Sequence, residues 1–236
     1  MEVYENNNFL ICYNTFDEIE AKFFEKIINY IIYYPIDWYN FLENILKNRL
    51  MISYGNTALI VSLEILTPQL KNSFNRIYDC MQSSGVVLNV IETKGFLIIY
   101  VYSKIISDFF QNSGYWLEYV TYYASLELGL CSYRGALLKT TDGKIQEVDV
   151  IIEYNSNLFL IECKDTHTYS NDDLVKLNNL RKIINSNTFG VFVCSKKAPN
   201  VDFLKHEIEL IKYKFDYLEF RNNLKDYISR KLISLN

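Results

Sequence analysis

A chain of 236 residues, half of them hydrophobic, can bury one core of ordinary size or two small ones in tandem, which excludes a disordered protein. Its formal net charge of −4 argues against a uniformly basic nucleic-acid binder, yet Lys196, Lys197, Lys205, Lys212, Lys214, Arg221, Lys225, Arg230 and Lys231 gather near the C-terminus, as a solvated face or a phosphate-binding one. Five scattered cysteines (Cys12, Cys80, Cys131, Cys163, Cys194) without CxxC spacing indicate neither a disulfide framework nor a zinc knuckle and fit a reducing cytoplasm.

The chain opens on MEVYENNNFL, with acids and amides where a signal peptide would carry a basic and then an apolar stretch, so no leader is expected. The longest apolar run, Phe96 to Tyr102, is far too short to cross a bilayer, and a soluble cytoplasmic protein is expected. Residues 17–34 and 36–48 read as two helices around Pro35, with Asp37 near the start of the second. They make 1–58 an N-terminal helical segment without an assigned role. From Thr67 the pattern sharpens: Thr67 can cap, Pro68 suits a first turn, Leu70, Phe74, Ile77 and Met81 recur on one face, and Gly85 stops the helix. Two strand-like runs follow, Val86–Ile91 and Phe96–Tyr102, joined around Thr93-Lys94-Gly95. Helix then β-ribbon outlines a winged-helix-like domain over 59–105, with Lys71, Asn72, Asn75 and Arg76 as a recognition face; a structural or dimerising domain reads equally well.

A third pattern, assigned to 106–236, begins with a helix over Gly114–Leu128 carrying apolar Trp116, Leu117, Val120, Ala124 and Leu128. Strands follow at Gly135–Lys139, Lys144–Glu153 and Leu158–Lys164, separated by turns at Thr141-Asp142-Gly143 and Asn155-Ser156. A helix capped by Ser170 or Asn171 runs to about Asn185, with Asp172 and Asp173 in its first turn and Arg181 and Lys182 near its end, as the helix dipole prefers. Phe189–Cys194 closes the unit as a strand. The order is αβββαβ, and the fold class is α/β (α+β).

The segments Gln146-Glu147-Val148-Asp149-Val150-Ile151 and Leu160-Ile161-Glu162-Cys163-Lys164 carry the chemistry. Alternate strand residues share a face, so Glu162 and Lys164 point one way, and Glu147 and Asp149 likewise lie together, opposite Val148 and Val150. A hairpin symmetric about Asn155-Ser156 sets Asp149 across from Glu162 and Glu147 across from Lys164, with facing Cβ atoms roughly 5 Å apart. Two carboxylates at that separation are destabilising unless something positive lies between them, and a divalent metal is the natural occupant. Mg²⁺ or Mn²⁺ takes one or two carboxylates and completes its shell with water and phosphate oxygen. It activates that water, which Lys164 can orient or deprotonate.

The series GYWLE (114–118), EVD (147–149) and IECK (161–164), on an αβββαβ core, resembles the PD-(D/E)xK nuclease superfamily with its restriction-endonuclease-like fold. Within it the phrasing is most similar to the nuclease half of CRISPR ancillary effectors activated by cyclic oligoadenylate, which carry a winged-helix-like segment just before that half. The resemblance covers roughly 60–195; the nucleotide-sensing CARF domain of those relatives has no evident counterpart in the sequence before residue 59. It implies that Asp149 and Glu162 are metal ligands, that Lys164 is the catalytic lysine, and that Glu118 is the helix carboxylate completing the shell through water. Glu147 takes a supporting place, in metal binding or in a pair with Lys164. It further implies a homodimeric endonuclease in antiviral defence that hydrolyses DNA, or RNA. Apart from the resemblance, the basic residues Lys71, Arg76, Lys176, Lys196 and Lys197 are candidate nucleic-acid contacts. A nuclease fold that binds or regulates without cutting, and a ribonuclease with the same site, are the alternatives.

Other residues have plainer readings. Trp116 reads as core rather than a base-stacking platform, His167 as a surface turn rather than a phosphate contact, and His206 as part of a C-terminal helix. Two histidines leave no Ser/His/Asp or Cys/His set, and there is no G-x-x-x-x-G-K-[ST] loop.

Overall fold

The chain leaves and re-enters one of its two compact units: Met1–Thr15 joins Trp116–Asn236, and Phe16–Tyr115 forms the other. A computed structural model describes residues 2–6, 9–13, 15–55, 57–112, 114–140, 143, 145–165, 171–184, 187–196 and 203–233. The sequence-based divisions at 58/59 and 105/106 coincide with neither boundary of these units.

The chain begins with an antiparallel hairpin, β1 (Glu2–Asn6) and β2 (Phe9–Tyr13), where sequence reading placed only the start of a helical segment. The inner unit then opens with α1 (Glu18–Tyr33). Asp17 accepts hydrogen bonds from the Ile19 and Glu20 backbone N–H groups at 3.0 and 2.9 Å, and the Glu20 carboxylate returns one to the Asp17 N–H, a reciprocal cap. Helix α2 (Pro35–Phe41) starts on Pro35 and runs on into a π-helical turn, Leu42–Leu46. After β3 (Met51–Tyr54) and β4 (Ala58–Ser62) comes α3 (Pro68–Ser84), capped by Thr67 and ended by Gly85 at φ +81°. Strands β5 (Val87–Thr93) and β6 (Phe96–Val101) and helix α4 (Lys104–Gln111) complete the unit.

The β5–β6 ribbon is therefore not a free wing. It is half of a four-stranded sheet in the order β3-β4-β6-β5. Ile52, Ile60, Ile98 and Ile91 form one cross-strand row that ties the strands together. A domain starting at residue 59 would cut through β4 and discard its partner β3. Phe23, Phe24, Trp38, Phe41, Phe109 and Phe110, all buried, make the aromatic core of this unit.

The chain then enters α5 (Tyr115–Glu127), β7 (Cys131–Thr140), β8 (Ile145–Tyr154), β9 (Asn157–Lys164), α6 (Asn171–Ile184) and β10 (Thr188–Cys194). This is the element order read from sequence. Beyond it lie a 3₁₀ turn (Leu204–His206), where His206 sits instead of in a helix, then β11 (Ile208–Lys212) and α7 (Tyr217–Ile233). The seven-stranded sheet runs β1-β2-β7-β8-β9-β10-β11. It is antiparallel as far as β9, then parallel from β9 to β10 and β10 to β11. Parallel neighbours need a crossover, and α6 supplies the one from β9 to β10.

Alternation fixes which side chains meet α6. Leu158 and Leu160 of β9 and Phe192 and Cys194 of β10 pack with Leu174, Leu177, Leu180 and Ile184 of α6, and β2 adds Phe9 and Ile11. The opposite side chains of β9 meet other helices: Phe159 touches Tyr227 of α7, and the Cys163 thiol faces Thr121 of α5. Glu162 and Lys164 continue the row of Leu158 and Leu160, so the charged pair emerges where the apolar stripe under α6 ends. Among the described residues no helix is long and apolar enough to cross a membrane.

Candidate active site

Strands β8 and β9 pair in the register read from sequence: Tyr154↔Asn157, Glu153↔Leu158, Ile152↔Phe159, Ile151↔Leu160 and Val150↔Ile161. The ladder stops there, one step before Asp149 and Glu162 would face each other. On the other side, the β7–β8 ladder passes from Arg134↔Val150 to Ala136↔Val148 and leaves out Gly135 and Asp149. Asp149 thus has no ladder partner on either side.

The physical signs of this break are local. Gly135 has φ +53°, a conformation that side-chain-bearing residues rarely adopt. The face alternation slips there too, because Tyr133 and Ala136, and Ile151 and Val148, enter the same core although they lie three apart. The strict alternation expected for Glu147, Asp149 and their neighbours is corrected accordingly. The β7–β8 register is the same on both sides of the gap, so the pairing is lost there without an inserted residue. The freed Asp149 carboxylate bends to β9 and accepts a hydrogen bond from the Cys163 N–H at 2.7 Å.

Around it lie the other acids. Lys164 Nζ is 2.5 Å from Glu162 Oε1, both side chains half-buried. Glu118, on α5, is 7% exposed, and its Oε2 lies 3.5 Å from Arg134 Nη1 of β7. The Arg134 guanidinium stacks over the Tyr119 ring at 3.9 Å. Burial pushes the Glu118 carboxyl up to about 7; Arg134 pulls it down, and Glu147 and Glu162 push it further. Asp149 is raised well above the ordinary carboxylate range by burial first, then by Glu162 and Glu118, against the opposing Cys163 N–H and Lys164. Burial draws Lys164 down, but Glu162, Asp149 and Asp173 together hold it above its usual value. Carboxyl groups driven up together mark a place short of positive charge. Burial and these same carboxylates also raise Cys163, so its thiol, turned to Thr121, is no nucleophile.

The strand end carrying Lys164 is clamped by residues that sequence reading did not single out. Asp165, 3% exposed, accepts hydrogen bonds from Trp116 Nε1 of α5 at 3.0 Å and from the Ser195 hydroxyl just past β10. Trp116 is core, as read, and its indole N–H is also half of this clamp. The available signals were an arginine beside the apolar run at 136–138 of β7 and an acid directly after IECK.

A cleft of about 430 Å³ opens beside the pair, lined by Gln146, Glu147, Val148, Glu162 and Lys164 of the strands and by Asp173, Lys176, Leu177 and Leu180 of α6. Glu147 is exposed at its wall. A larger cleft of about 520 Å³ between β11 and α7 holds the Arg230–Glu209 ion pair and none of the site residues. Among the described residues no three His, Cys, Asp or Glu side chains converge into a ready-made metal cage. The donor set fits a hard divalent ion held by one or two carboxylates, with water making up the rest.

Of the basic residues, Lys176 lies at the cleft. Lys196 follows Ser195 and is half-buried. In the other unit, Lys71 is exposed on α3, while Arg76 is committed to Asp37 at 2.6 Å and to the Tyr34 ring. Lys197 and His167 lie outside the described residues.

No family model matches the chain, and no curated protein matches its sequence. Solved structures do match. Protein VC1899 from Vibrio cholerae superposes with a TM-score of 0.62 at 13% identity, over 94% of this chain and 59% of that one. Can2 from Sulfobacillus thermosulfidooxidans, in complex with cyclic tetra-adenylate, superposes with a TM-score of 0.56 at 14% identity, over 88% of this chain and 56% of that one. The chain spans less than two thirds of either protein, and at such identities the likeness is one of fold: its mixed α/β architecture is shared with VC1899 and Can2.

Proposed function

We propose that the chain is a metal-dependent nuclease of the PD-(D/E)xK type, hydrolysing phosphodiester bonds of DNA from a restriction-endonuclease-like core made of α5, β7, β8, β9, α6 and β10. The observation that supports this reading is the mutual electrostatic influence of Asp149, Glu162, Lys164 and buried Glu118, with Glu162 and Lys164 lining a cleft that Asp149 itself does not line. Asp149 and Glu162 would hold Mg²⁺ or Mn²⁺, with Glu118 reaching it through water. The ion would neutralise phosphate charge and supply an activated water. Lys164, oriented by Glu162 and raised in basicity, stays protonated and stabilises charge developing on the phosphate. The Asp165 clamp limits drift of the strand end that bears it. Glu147 adds negative charge at the wall of the cleft. The unit formed by Phe16–Tyr115 would serve nucleic-acid binding through Lys71 or assembly of a homodimer.

A supercoiled-plasmid assay with Mg²⁺, Mn²⁺, Ca²⁺ or EDTA, run beside an RNA substrate, tests the proposal. Cyclic oligoadenylate is added in a parallel arm, because Can2 holds cyclic tetra-adenylate. Divalent-dependent nicking that Asp149→Asn abolishes supports the reading. Binding without products under every condition points to a nuclease fold that does not cut, and full activity in excess EDTA overturns the metal assignment.

A further inference from the structure

Among the described residues two cations line the cleft beside the carboxylates, and they are in different states. Lys164 is held by Glu162 at 2.5 Å. Lys176, on the neighbouring wall, is exposed and makes no ion pair among the described residues. It does not project at random: Asp173, Lys176, Leu177 and Leu180 follow the three- and four-residue spacing of one helix face. Leu177 and Leu180 are buried against the sheet, which fixes that face towards β8 and β9. Lys176 is therefore anchored by its neighbours' packing with its ammonium left open at the cleft. An unpaired, solvated ammonium on a fixed wall is the group that a mobile anion can reach without first breaking an ion pair.

The cleft also limits what that anion is. At about 430 Å³ it is of the size that holds a small ligand, roughly a nucleotide or two, and a whole duplex does not enter it. Gln146, on β8, contributes a neutral amide to the same lining.

Resting on the nuclease reading above, we propose that Lys176 grips the sugar–phosphate backbone of the cleaved strand at a phosphate flanking the scissile one, as a subsite distinct from Lys164. A contact of this kind reads charge and not base identity, and it displaces about one counterion.

The test measures binding of a short fluorescein-labelled duplex by anisotropy over a range of KCl with Ca²⁺ present, and in parallel single-turnover cutting with Mn²⁺. Lys176→Ala, a surface change that thermal denaturation should confirm as folded, is expected to weaken binding about threefold at low salt for any sequence and to lower the slope of log K against log salt by about 1. Lys176→Arg should restore both. Wild-type protein that binds and cuts, with a Lys176→Ala variant of unchanged affinity and slope, overturns the subsite and leaves the nuclease reading standing. Wild-type protein that neither binds nor cuts any nucleic acid overturns that reading, and the subsite with it.

Discussion

Asp149 and Lys164 lie on neighbouring strands, yet their substitution should have opposite effects on cation binding. Asp149→Asn keeps an oxygen to accept the Cys163 N–H, so the strand junction survives while the charge is lost. Titration calorimetry with Mn²⁺ should find no binding, and cutting should stop. Lys164→Met leaves both carboxylates and removes a positive neighbour, so Mn²⁺ binding should be unchanged or tighter while single-turnover cutting falls by about two orders of magnitude or more. Wild-type cutting by Lys164→Met would make Lys164 only a structural partner of Glu162. The buried acids also leave a mark on stability. Glu118 titrates near 7 in the folded chain against about 4.5 ordinarily. Below about pH 4.5 both states hold the proton and the group contributes nothing. Between the two values the unfolded chain releases the proton and the folded chain keeps it, so stability falls as pH rises and the loss is complete above about 7. For Glu118 alone the loss is on the order of 3 kcal/mol, and Asp149 shifts in the same direction. Thermal melts in EDTA should give a lower Tm at pH 8 than at pH 5, and Mn²⁺ should narrow the gap. A metal-free Tm that rises over this range would contradict the shift.

At the scale of elements, the break at Gly135 and the clamp at Asp165 do separate jobs. Gly135→Ala meets open space, so any cost comes from forcing a Cβ into φ +53°, about 1 kcal/mol. If that turn is what frees Asp149, the variant should lose cutting out of proportion to its small drop in denaturation midpoint. Trp116→Phe keeps most of the ring that stacks with Phe215 and meets Tyr213 but removes the donor to Asp165. Loss of a bond to a buried carboxylate should cost about 2 kcal/mol, measurable as a shift in urea midpoint. An unchanged midpoint would mean that the bond from Trp116 adds nothing to the hold on Asp165.

At the scale of the molecule, the N-terminal hairpin belongs to the sheet of the C-terminal unit. β2 pairs with β7 through Phe9↔Thr140, Leu10↔Lys139, Ile11↔Leu138 and Cys12↔Leu137, and the side chains of Phe9 and Ile11 are 5% and 0% exposed. Each contributes about 1.5–3 kcal/mol by burial. Deleting residues 1–15 should therefore destabilise the protein by several kcal/mol and bare the edge of β7, with aggregation visible by light scattering. A fragment covering only 106–236 should suffer in the same way, whereas residues 1–15 joined by a flexible linker to 116–236 should fold. An unaltered Tm after the deletion would show that the hairpin is an ornament on the sheet.

Local structure was legible in the sequence because its causes are local. Thr67, Pro68 and Gly85 bound α3 through capping and backbone freedom, and Asn155 and Ser156, both at positive φ, turn β8 into β9 so that the register follows from symmetry about them. The order α5–β7–β8–β9–α6–β10, and the row that ends in Glu162 and Lys164, follow from the same short-range periodicities. Pairings across long stretches of chain left no such trace. β2 meets β7 more than a hundred residues later, and the short runs of β3 and β4 have too little alternation to announce a four-stranded sheet around the β5–β6 ribbon. Arg134 and Asp165 become parts of the site only through partners distant in sequence, Arg134 through Glu118 and Tyr119, Asp165 through Trp116 and Ser195. The place of Asp149 within β8 was readable from the strand pattern, but its absence from both ladders was decided by tertiary structure, because the pairing of a residue depends on both neighbouring strands at once.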